Sequence, residues 1–325
     1  MSVEVTTSAC YSPFETIRTP EGMIDHSFGP YSETREHLDP WLPKLLGVLN
    51  IPSGRILELG CGRGQSAETI LPFVGSDSEF ILSDSDLESC IDCGWKFRDQ
   101  DNVYVDHADA LSELACHKDD SVSQVWYLNG IHLDEQRAQV INTSYKKLKP
   151  GGLLIANSSF TTESEPASEI RFYRRWIGHA MRKLKARDLH LHDLVKQHNT
   201  MQRLSKRDYD ELFKEVGFNL LDLEPFSLSM EDEGSQLKTT INGLFRIAQY
   251  TAWIQGSMPV YDEVEPIPPE IFVGRLDTVT HVQQEALLEV YPELIGARVT
   301  PRNNAIWVAR KPIRDEVIRT EPFKK

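Results

Sequence analysis

The residues with the clearest chemical potential lie around position 60, where an acidic side chain precedes three alternating glycines. Gly60, Gly62 and Gly64 have no Cβ atom, so their backbone N–H groups can approach a ligand closely. Glu58 lies two residues before the first glycine. A carboxylate there would repel a pyrophosphate, but it could accept a hydrogen bond from a ligand ammonium group. The segment therefore predicts a nucleotide-type binding site whose ligand carries an ammonium group rather than a pyrophosphate.

A dinucleotide-binding turn has a different spacing, with its third glycine three residues after the second. In this chain that position is Gln65, and the third glycine, Gly64, comes one residue early. The spacing and the acidic residue at position 58 together disfavour a nicotinamide oxidoreductase, which is kept here as a rival interpretation.

The elements on either side would hold the glycines at one edge of a sheet. Ile56 and Leu59 belong to a short apolar run that is typical of a buried parallel strand, and a helix-like segment begins near Gln65. Asp84 ends the next apolar strand, one strand–helix–strand unit after Glu58. In doubly wound sheets an acid at that strand end accepts hydrogen bonds from ribose hydroxyls.

At these residues the chain resembles the class I S-adenosylmethionine-dependent methyltransferases, whose first motif reads acidic-x-Gly-x-Gly-x-Gly. The segment 58–64, Glu-Leu-Gly-Cys-Gly-Arg-Gly, matches that motif completely. A Lys-Pro-Gly-Gly turn at 149–152, which leads into an apolar strand, is a further similarity. The resemblance covers residues 55–155 and, more weakly, 204–222 and 304–311, where the family has a helix–strand pair and a closing antiparallel strand.

The resemblance implies S-adenosyl-L-methionine (SAM) as the cofactor. It implies that Asp109, after the third strand, contacts the adenine amino group, with Asp106 as a weaker candidate. It also implies that Tyr31 belongs to an N-terminal segment that folds over the cofactor, although a Gly-Pro turn with a packed tyrosine fits as well. The residues expected to bind the cofactor are Tyr31, Glu58, Gly60, Cys61, Gly62, Gly64, Asp84, Ser85, Asp109, Ala110 and Asn129.

His132 is the candidate catalytic residue. Methyl transfer from a sulfonium is an in-line displacement, so the protein must hold the nucleophile ~3–3.5 Å from the methyl group and exclude water. In the family the fourth strand ends beside the methyl group, and Asn129-Gly-Ile-His132 follows that strand here. The alternative is a packed histidine that covers the cofactor. The Asn/Asp-Pro-Pro-Tyr-like motif of amino-methylating DNA enzymes does not occur at this place.

We expect a doubly wound, seven-stranded α/β Rossmann-like sheet with helical insertions that form a substrate cap. One insertion contains an amphipathic helix over 168–196 with a basic face, which is either solvated or meets an acidic surface as a lid or dimer helix. The expected divisions are an N-terminal helical cap segment (1–50), a SAM-binding core (51–160), a helical lid insertion (161–203), a core continuation (204–224), a helical cap insertion (225–300), and a closing strand with a polar tail (301–325).

Composition limits the classes of partner. The formal net charge of −14 over 325 residues argues against a nucleic-acid partner, since phosphate contacts need clustered cations. No apolar run reaches the ~18 residues that span a bilayer. The polar, acidic N-terminus does not fit a signal peptide. These features predict a cytoplasmic protein without a membrane partner.

The five cysteines form no disulfide framework in a chain of this size. Cys90 and Cys93 make a lone Cys-x-x-Cys, which does not indicate zinc without a second pair or a nearby histidine. His190, His192 and His198 do not share one helical face. We therefore expect reduced thiols and no metal.

The predicted function is a SAM-dependent methyltransferase that acts on O, N, S or C of a small molecule, with a secondary metabolite as one candidate. One alternative is a protein that binds SAM without transferring methyl, for example in a cyclisation. Another is a protein methyltransferase whose basic helix grips an acidic target. A homodimer is among the expected assemblies.

Overall fold

The computed structural model describes residues 18–19, 22–23, 41–49, 51–158, 161–164, 167–187, 204–221, 305–313 and five single positions between 281 and 289. Near the N-terminus, β1 (Arg18–Thr19) and β2 (Gly22–Met23) form a small antiparallel pair. Helix α1 (Leu42–Leu46) follows, with Trp41 as its N-cap and Pro43 in its first turn. Tyr31 lies outside the described residues, so its predicted role over the cofactor stays a prediction.

A seven-stranded sheet organises the described part of the chain. Its strands are β3 (Arg55–Leu59), β4 (Glu79–Asp84), β5 (Val103–His107), β6 (Val122–Leu128), β7 (Leu148–Ser158), β8 (Asn219–Leu220) and β9 (Ala305–Arg310). They lie in the order β5-β4-β3-β6-β7-β9-β8, and β9 runs antiparallel to both of its neighbours while the other pairs are parallel. The predicted Rossmann-like sheet and its closing antiparallel strand are confirmed.

Helices cover both faces of this sheet. They are α2 (Gln65–Ile70), α3 (Leu87–Lys96), α4 (Ala110–Ala115), α5 (Arg137–Lys147), α6 (Ala167–Ala186) and α7 (Lys206–Val216), with a short 3-10 turn at Leu71–Phe73. Alternate residues of β3 supply the two cores: Ile56 packs with α1, α2 and α3, whereas Leu57 and Leu59 pack with α4, α5 and α7. Because both faces are covered, the central strands read as nearly continuous apolar runs.

The last crossover helix shows how local sequence sets element boundaries. The Ser205 hydroxyl accepts the N–H of Asp208 at 3.0 Å, and the Asp208 carboxylate accepts the N–H of Ser205 at 2.7 Å. This reciprocal capping box begins α7, and Gly217 ends the helix with φ 105°. The sequence itself carries both signals, since Asp208 follows Ser205 by three residues and the first glycine after the helix is Gly217.

The Lys-Pro-Gly-Gly segment departs from the prediction. It was expected as a turn that precedes a strand, but residues 149–152 lie inside the eleven-residue strand β7. The register between β6 and β7 shifts there, from Val122 opposite Leu148 to Gln124 opposite Leu153. Gly151, with φ 83°, allows the backbone to make this irregularity without ending the strand.

Helix α6 confirms the predicted amphipathic pattern as far as Ala186, and residues 188–196 lie outside the described part. Trp176, Ala180 and Leu184 are buried. On its basic side, Lys183 pairs with Glu289 at 2.7 Å and Arg187 with Glu285 at 2.9 Å. Two acids of the same chain therefore neutralise part of the basic side of this helix. Among the described helices, none combines the length and the apolar character that crossing a bilayer requires.

Candidate functional site

The three glycines form a left-handed turn directly after β3. Gly60, Gly62 and Gly64 have φ values of 66°, 53° and 77°, which L-residues adopt only at a cost. A Cβ atom on Gly62 would meet no described residue within 4 Å, so the described part of the chain leaves open space against it. A Cβ atom on Gly64 would come within 2.6 Å of the Phe97 ring and 3.0 Å of the Cys93 sulfur. Gly62 is therefore suited to close approach by a ligand, whereas Gly64 is required by packing.

Asp84, at the end of β4, is hydrogen-bonded directly to this turn. Its Oδ2 atom accepts the N–H of Gly62 at 2.8 Å, and its Oδ1 atom accepts the N–H of Asp86 at 2.9 Å. Burial raises the pKa of Asp84 to about 6, although these two N–H bonds favour the ionised form. Each carboxylate oxygen can accept a further hydrogen bond. Asp84 can thus fix the turn and still serve the ribose hydroxyls that the sequence assigns to it.

Glu58 lies beneath the same turn with 1% of its surface exposed. The Ser66 hydroxyl donates a hydrogen bond to its Oε1 atom. Its Oε2 atom is buried, and no donor among the described residues reaches it. Burial raises the pKa of Glu58 to about 8, the Ser66 bond lowers it, and the negative charge of Asp84 raises it further.

This protonation state corrects one expectation from the sequence. The motif predicts an ionised carboxylate at position 58, but the raised pKa of Glu58 means that the acid is mostly protonated near pH 7 in the absence of a cation. The reason is physical: a carboxylate is costly to bury beside a second acid, and the nearby group on α2, Ser66, is a neutral hydroxyl.

The residues present fit a cofactor of the SAM type. The buried and unbonded Oε2 atom of Glu58 can accept a hydrogen bond from an ammonium group. Gly62 leaves room for close backbone approach, and Asp84 offers acceptors for hydroxyl groups. The ionised Asp84 carboxylate beside the turn would repel a pyrophosphate, which disfavours a dinucleotide.

Asp109 has a local structural role that accounts for its position. It is the N-cap of α4, where its Oδ1 atom accepts the N–H groups of Leu111 and Ser112, both at 2.9 Å. Its Oδ2 atom accepts the Ser112 hydroxyl at 2.7 Å. Ala110 is the first residue of that helix and is half-buried. Helix capping explains an acid here without any ligand, so the adenine contact stays a prediction.

Ser85 follows Asp84 and is exposed, and its carbonyl accepts a hydrogen bond from His107 Nε2 at 2.9 Å. Cys61 is 4% exposed within the glycine turn. A hydrogen bond with Cys93 and burial raise the pKa of the Cys61 thiol well above its usual value. A protonated, buried thiol is unreactive, which favours packing roles for Cys61 and Cys93. Within the described ranges, no cluster of His, Cys, Asp or Glu side chains could hold a metal ion.

Asn129 follows β6 in a left-handed conformation with φ 53°, and its side chain and backbone are both held by Asn157 of β7. The Asn129 N–H donates to Asn157 Oδ1 at 2.9 Å, and Asn157 Nδ2 donates to Asn129 Oδ1 at 3.0 Å. His132, three residues on, is 4% exposed. The catalytic role of His132 therefore depends on whether its ring faces the acceptor, and that role stays a prediction.

Three side chains at this edge were not identified from the sequence. Ser66 holds Glu58, Asn157 holds Asn129, and the Tyr127 ring lies 3.7 Å from the Cβ position of Gly60 and 2.3 Å from that of Gly130. Tyr127 thus packs beneath both loops of the site. A signal existed for Asn157 alone, because an amide at the end of the apolar run 153–156 is unusual in a buried strand.

The segment that carries the glycine turn also matches a known family of domains. Residues 56–152 match the family described as "Methyltransferase domain", which confirms the resemblance seen in the motif and supports SAM as the cofactor. This segment contains the glycine turn, Asp84, Asp109 and His132.

Particular relatives extend this finding. The chain is 33% identical over 128 residues to 27-O-demethylrifamycin SV methyltransferase of Amycolatopsis mediterranei (strain S699), covering 38% of this chain and 45% of that protein. The chain thus spans less than half the length of this curated relative.

Two solved structures share the fold. One is the (4+2)-cyclase SpnF, with 15% identity and a TM-score of 0.50 over 85% of this chain and 83% of that chain. The other is a chain from the complex of the Haloferax volcanii Trm112 methyltransferase activator, with 14% identity and a TM-score of 0.50 over 91% of this chain and 100% of that chain. At this level of identity the similarity concerns the fold alone.

Proposed function

We propose that this protein is a cytoplasmic SAM-dependent methyltransferase that transfers a methyl group to O, N, S or C of a small molecule. The observation that carries the proposal is the joint placement of Glu58, Gly62 and Asp84 at the carboxyl ends of β3 and β4, inside the segment that matches the methyltransferase domain. The name of the rifamycin methyltransferase relative supports a secondary metabolite as the acceptor.

The chain's own residues would hold the cofactor by three kinds of contact. Glu58 Oε2 would accept a hydrogen bond from the ammonium group, and Asp84 would accept from the ribose hydroxyls. The backbone at Gly62 would lie against the ligand, because no Cβ atom intervenes. Asp109 would contribute at the adenine end, and Tyr31 is the proposed cover over the methionine part.

When bound, SAM supplies a methyl group on a sulfonium, which the acceptor's nucleophile attacks in line. His132, after β6, would accept a proton from that nucleophile where the acceptor needs deprotonation. The Asn129–Asn157 pair would position the loop that carries His132, since it closes two hydrogen bonds around the left-handed residue. Burial of His132 and Tyr127 at this edge would help to exclude water from the reaction.

A small-molecule acceptor is favoured over a protein. The sequence left open that the basic helix grips an acidic protein, but Lys183 of α6 and Arg187, just after the helix, pair with Glu289 and Glu285 of the same chain. Those acids already neutralise part of the basic face. An acidic protein target would have to displace these pairs.

The direct experiment uses a methyl donor with a deuterated methyl group and a panel of small-molecule acceptors. A product that carries the labelled methyl group supports the proposal. A product that is rearranged but unlabelled would instead establish use of the cofactor without transfer, as in the cyclisation alternative. If SAM does not bind at all by calorimetry, the proposal fails.

The role of His132 is tested separately with His132→Ala. We expect turnover to fall about 100-fold, as for loss of a general base, while cofactor affinity changes less than about threefold. His107→Ala is the matched control, because His107 contacts the backbone of Ser85 beside the same cofactor site rather than the β6 loop. An equal loss of turnover and affinity in His132→Ala would reduce His132 to a packing role.

A further inference from the structure

Glu58 is a buried acid for which the described part of the chain supplies no cation. Its Oε1 atom is bonded to a neutral hydroxyl, Ser66, and its Oε2 atom reaches no donor in the part of the chain that the structure describes. The residue is 1% exposed, so water does not solvate the carboxylate from outside. A buried carboxyl group without a nearby cation ordinarily stays protonated, because protonation removes the charge that burial penalises.

The charged groups around Glu58 reinforce this state. From β4, Asp84 faces it with a negative charge, and Asp86 at the start of α3 adds a second acid behind Asp84. His107 of β5 acts on Asp84 rather than on Glu58. In the glycine turn, Arg63 pairs with Asp92 of α3 at 3.2 Å. From α2, the neighbour is Ser66, which carries no charge.

We propose that Glu58 holds a proton in the free protein and releases it when the ammonium group of the cofactor binds, with Ser66 as the positioning residue. The inference rests on the proposed function, since it concerns the same site. The step is a simple acid dissociation: the O–H bond of the Glu58 carboxyl breaks, the proton goes to the buffer, and the carboxylate left behind pairs with the ammonium cation. No oxidant, reductant or further reactant is needed.

The consequence is a cofactor affinity that depends on pH. The pKa of Glu58 is about 8, so at pH 7 only about one tenth of the free protein has the ionised carboxylate that the ammonium group requires. Because binding competence is limited to that fraction, affinity rises about tenfold per pH unit below the pKa and levels off above it. The ammonium group of the ligand itself loses its proton in the alkaline range, so the measurements are kept at or below about pH 7.5.

Calorimetry measures the proton directly. S-adenosylhomocysteine, which has the same ammonium group, is titrated into the full-chain protein at pH 7.0 in phosphate and in Tris, two buffers with different enthalpies of ionisation. The difference between the two binding enthalpies, divided by the difference between the ionisation enthalpies of the two buffers, gives the number of protons released. We expect close to one proton for the unmodified protein.

Three variants assign that proton. Glu58→Gln should release almost none and should bind about tenfold more weakly at pH 7. Ser66→Ala should still release close to one proton but should bind more weakly, because loss of the Ser66 bond makes ionisation of Glu58 harder. Glu113→Gln is the matched control: Glu113 is also a 1% exposed glutamate with one buried oxygen that no described donor reaches, but it lies on α4 away from the turn. Its proton release should equal that of the unmodified protein.

The outcomes separate the two claims. Binding without buffer-dependent heat in the unmodified protein overturns the proton release and leaves the methyltransferase proposal intact. A released proton that persists in Glu58→Gln also overturns it, because the proton then comes from another group such as Asp84. Absence of any binding overturns the proposed function together with this inference. The measurement on the unmodified protein can overturn the proton release even if a variant fails to fold.

Discussion

Two buried glutamates, Glu58 and Glu113, have nearly the same exposure but very different surroundings. Both are 1% exposed, and each has one engaged oxygen and one buried oxygen that no described donor reaches. Glu113 accepts a hydrogen bond from His117 Nε2 at 2.7 Å, and the other ring nitrogen of His117 lies 3.4 Å from Arg55 Nη1. Among the described residues, Glu58 has the hydrogen bond from the Ser66 hydroxyl and the repulsion of Asp84, and no cation.

The difference shows how a buried acid with a structural role can be distinguished from one that binds a ligand. Arg55 begins β3 and Glu58 lies near its end, so the two networks occupy opposite edges of one sheet. At the amino edge the chain itself supplies the histidine and the arginine, which is the arrangement of a structural network. At the carboxyl edge the partner cation is missing from the described part of the chain. Ligands of open α/β sheets bind at the carboxyl edge, so a ligand is the natural source of that cation.

The sharpest way to break the comparison is Gly62→Val. A side chain here fills the open space at the turn and must adopt a left-handed φ that β-branched residues avoid, so we expect cofactor affinity to fall about 100-fold or more. Calorimetry with S-adenosylhomocysteine measures the loss. Gly64→Ala is the contrasting variant. Its Cβ atom would clash with Phe97 and Cys93, so this variant should lower the stability of the protein in addition to its cofactor affinity. Unchanged cofactor affinity in Gly62→Val would refute the proposal that the glycine turn binds the cofactor.

Asp84→Ala should have the next largest effect, about a 30-fold loss of cofactor affinity. The variant removes both the acceptor for hydroxyl groups and the bond that fixes the Gly62 N–H. Asp84→Asn keeps one acceptor oxygen of the same shape and should lose less. Binding constants measured side by side test this order. Equal affinities for the two variants would show that Asp84 only shapes the fold.

Glu58→Gln sharpens the comparison through stability. Since the folded protein raises the pKa of Glu58 from 4.5 to about 8, the folded state keeps a proton that the unfolded chain loses between these values. Stability therefore falls as pH rises through this window, by up to about 1.4 kcal/mol per pH unit. From pH 6 to 7.5 the unmodified protein should lose about 2 kcal/mol that Glu58→Gln keeps. Urea unfolding at both pH values measures it, and parallel losses would contradict a protonated Glu58.

Glu113→Gln should have the smallest effect on cofactor affinity, and its main effect should be a loss of stability. The amide weakens the hydrogen bond from His117 in a buried site, so we expect a loss of about 1–2 kcal/mol in the free energy of unfolding. Cofactor affinity should stay within about twofold of the unmodified protein, because the network lies at the amino edge. A tenfold change in affinity would mean that the two edges are coupled and that the comparison fails.

Local signals predicted much of the fold. The capping box of Ser205 and Asp208, the stop at Gly217 and the apolar strands depend on residues close in sequence, so their positions could be predicted. The Lys-Pro-Gly-Gly segment was misplaced because a shift in register with β6, a distant strand, decides that it stays in β7.

The residue types of the candidate site could be predicted from the sequence, but their protonation states and long-range contacts could not. The motif identified Glu58, yet its protonation depends on burial under α2 and on the approach of Asp84 from another strand. The Asn129–Asn157 pair exists only because β6 and β7 end side by side. The ion pairs of α6 with residues 285 and 289 likewise join segments far apart in sequence. Long-range packing of this kind leaves no local pattern to read.

The most direct test of the whole account is a crystal structure of the protein with S-adenosylhomocysteine. We predict that the ligand lies over the carboxyl ends of β3 and β4, with its ammonium group within hydrogen-bond distance of the Glu58 carboxylate and its ribose at Asp84. A ligand bound elsewhere, or one whose ammonium group is held by other residues while Glu58 stays without a partner, would contradict the account.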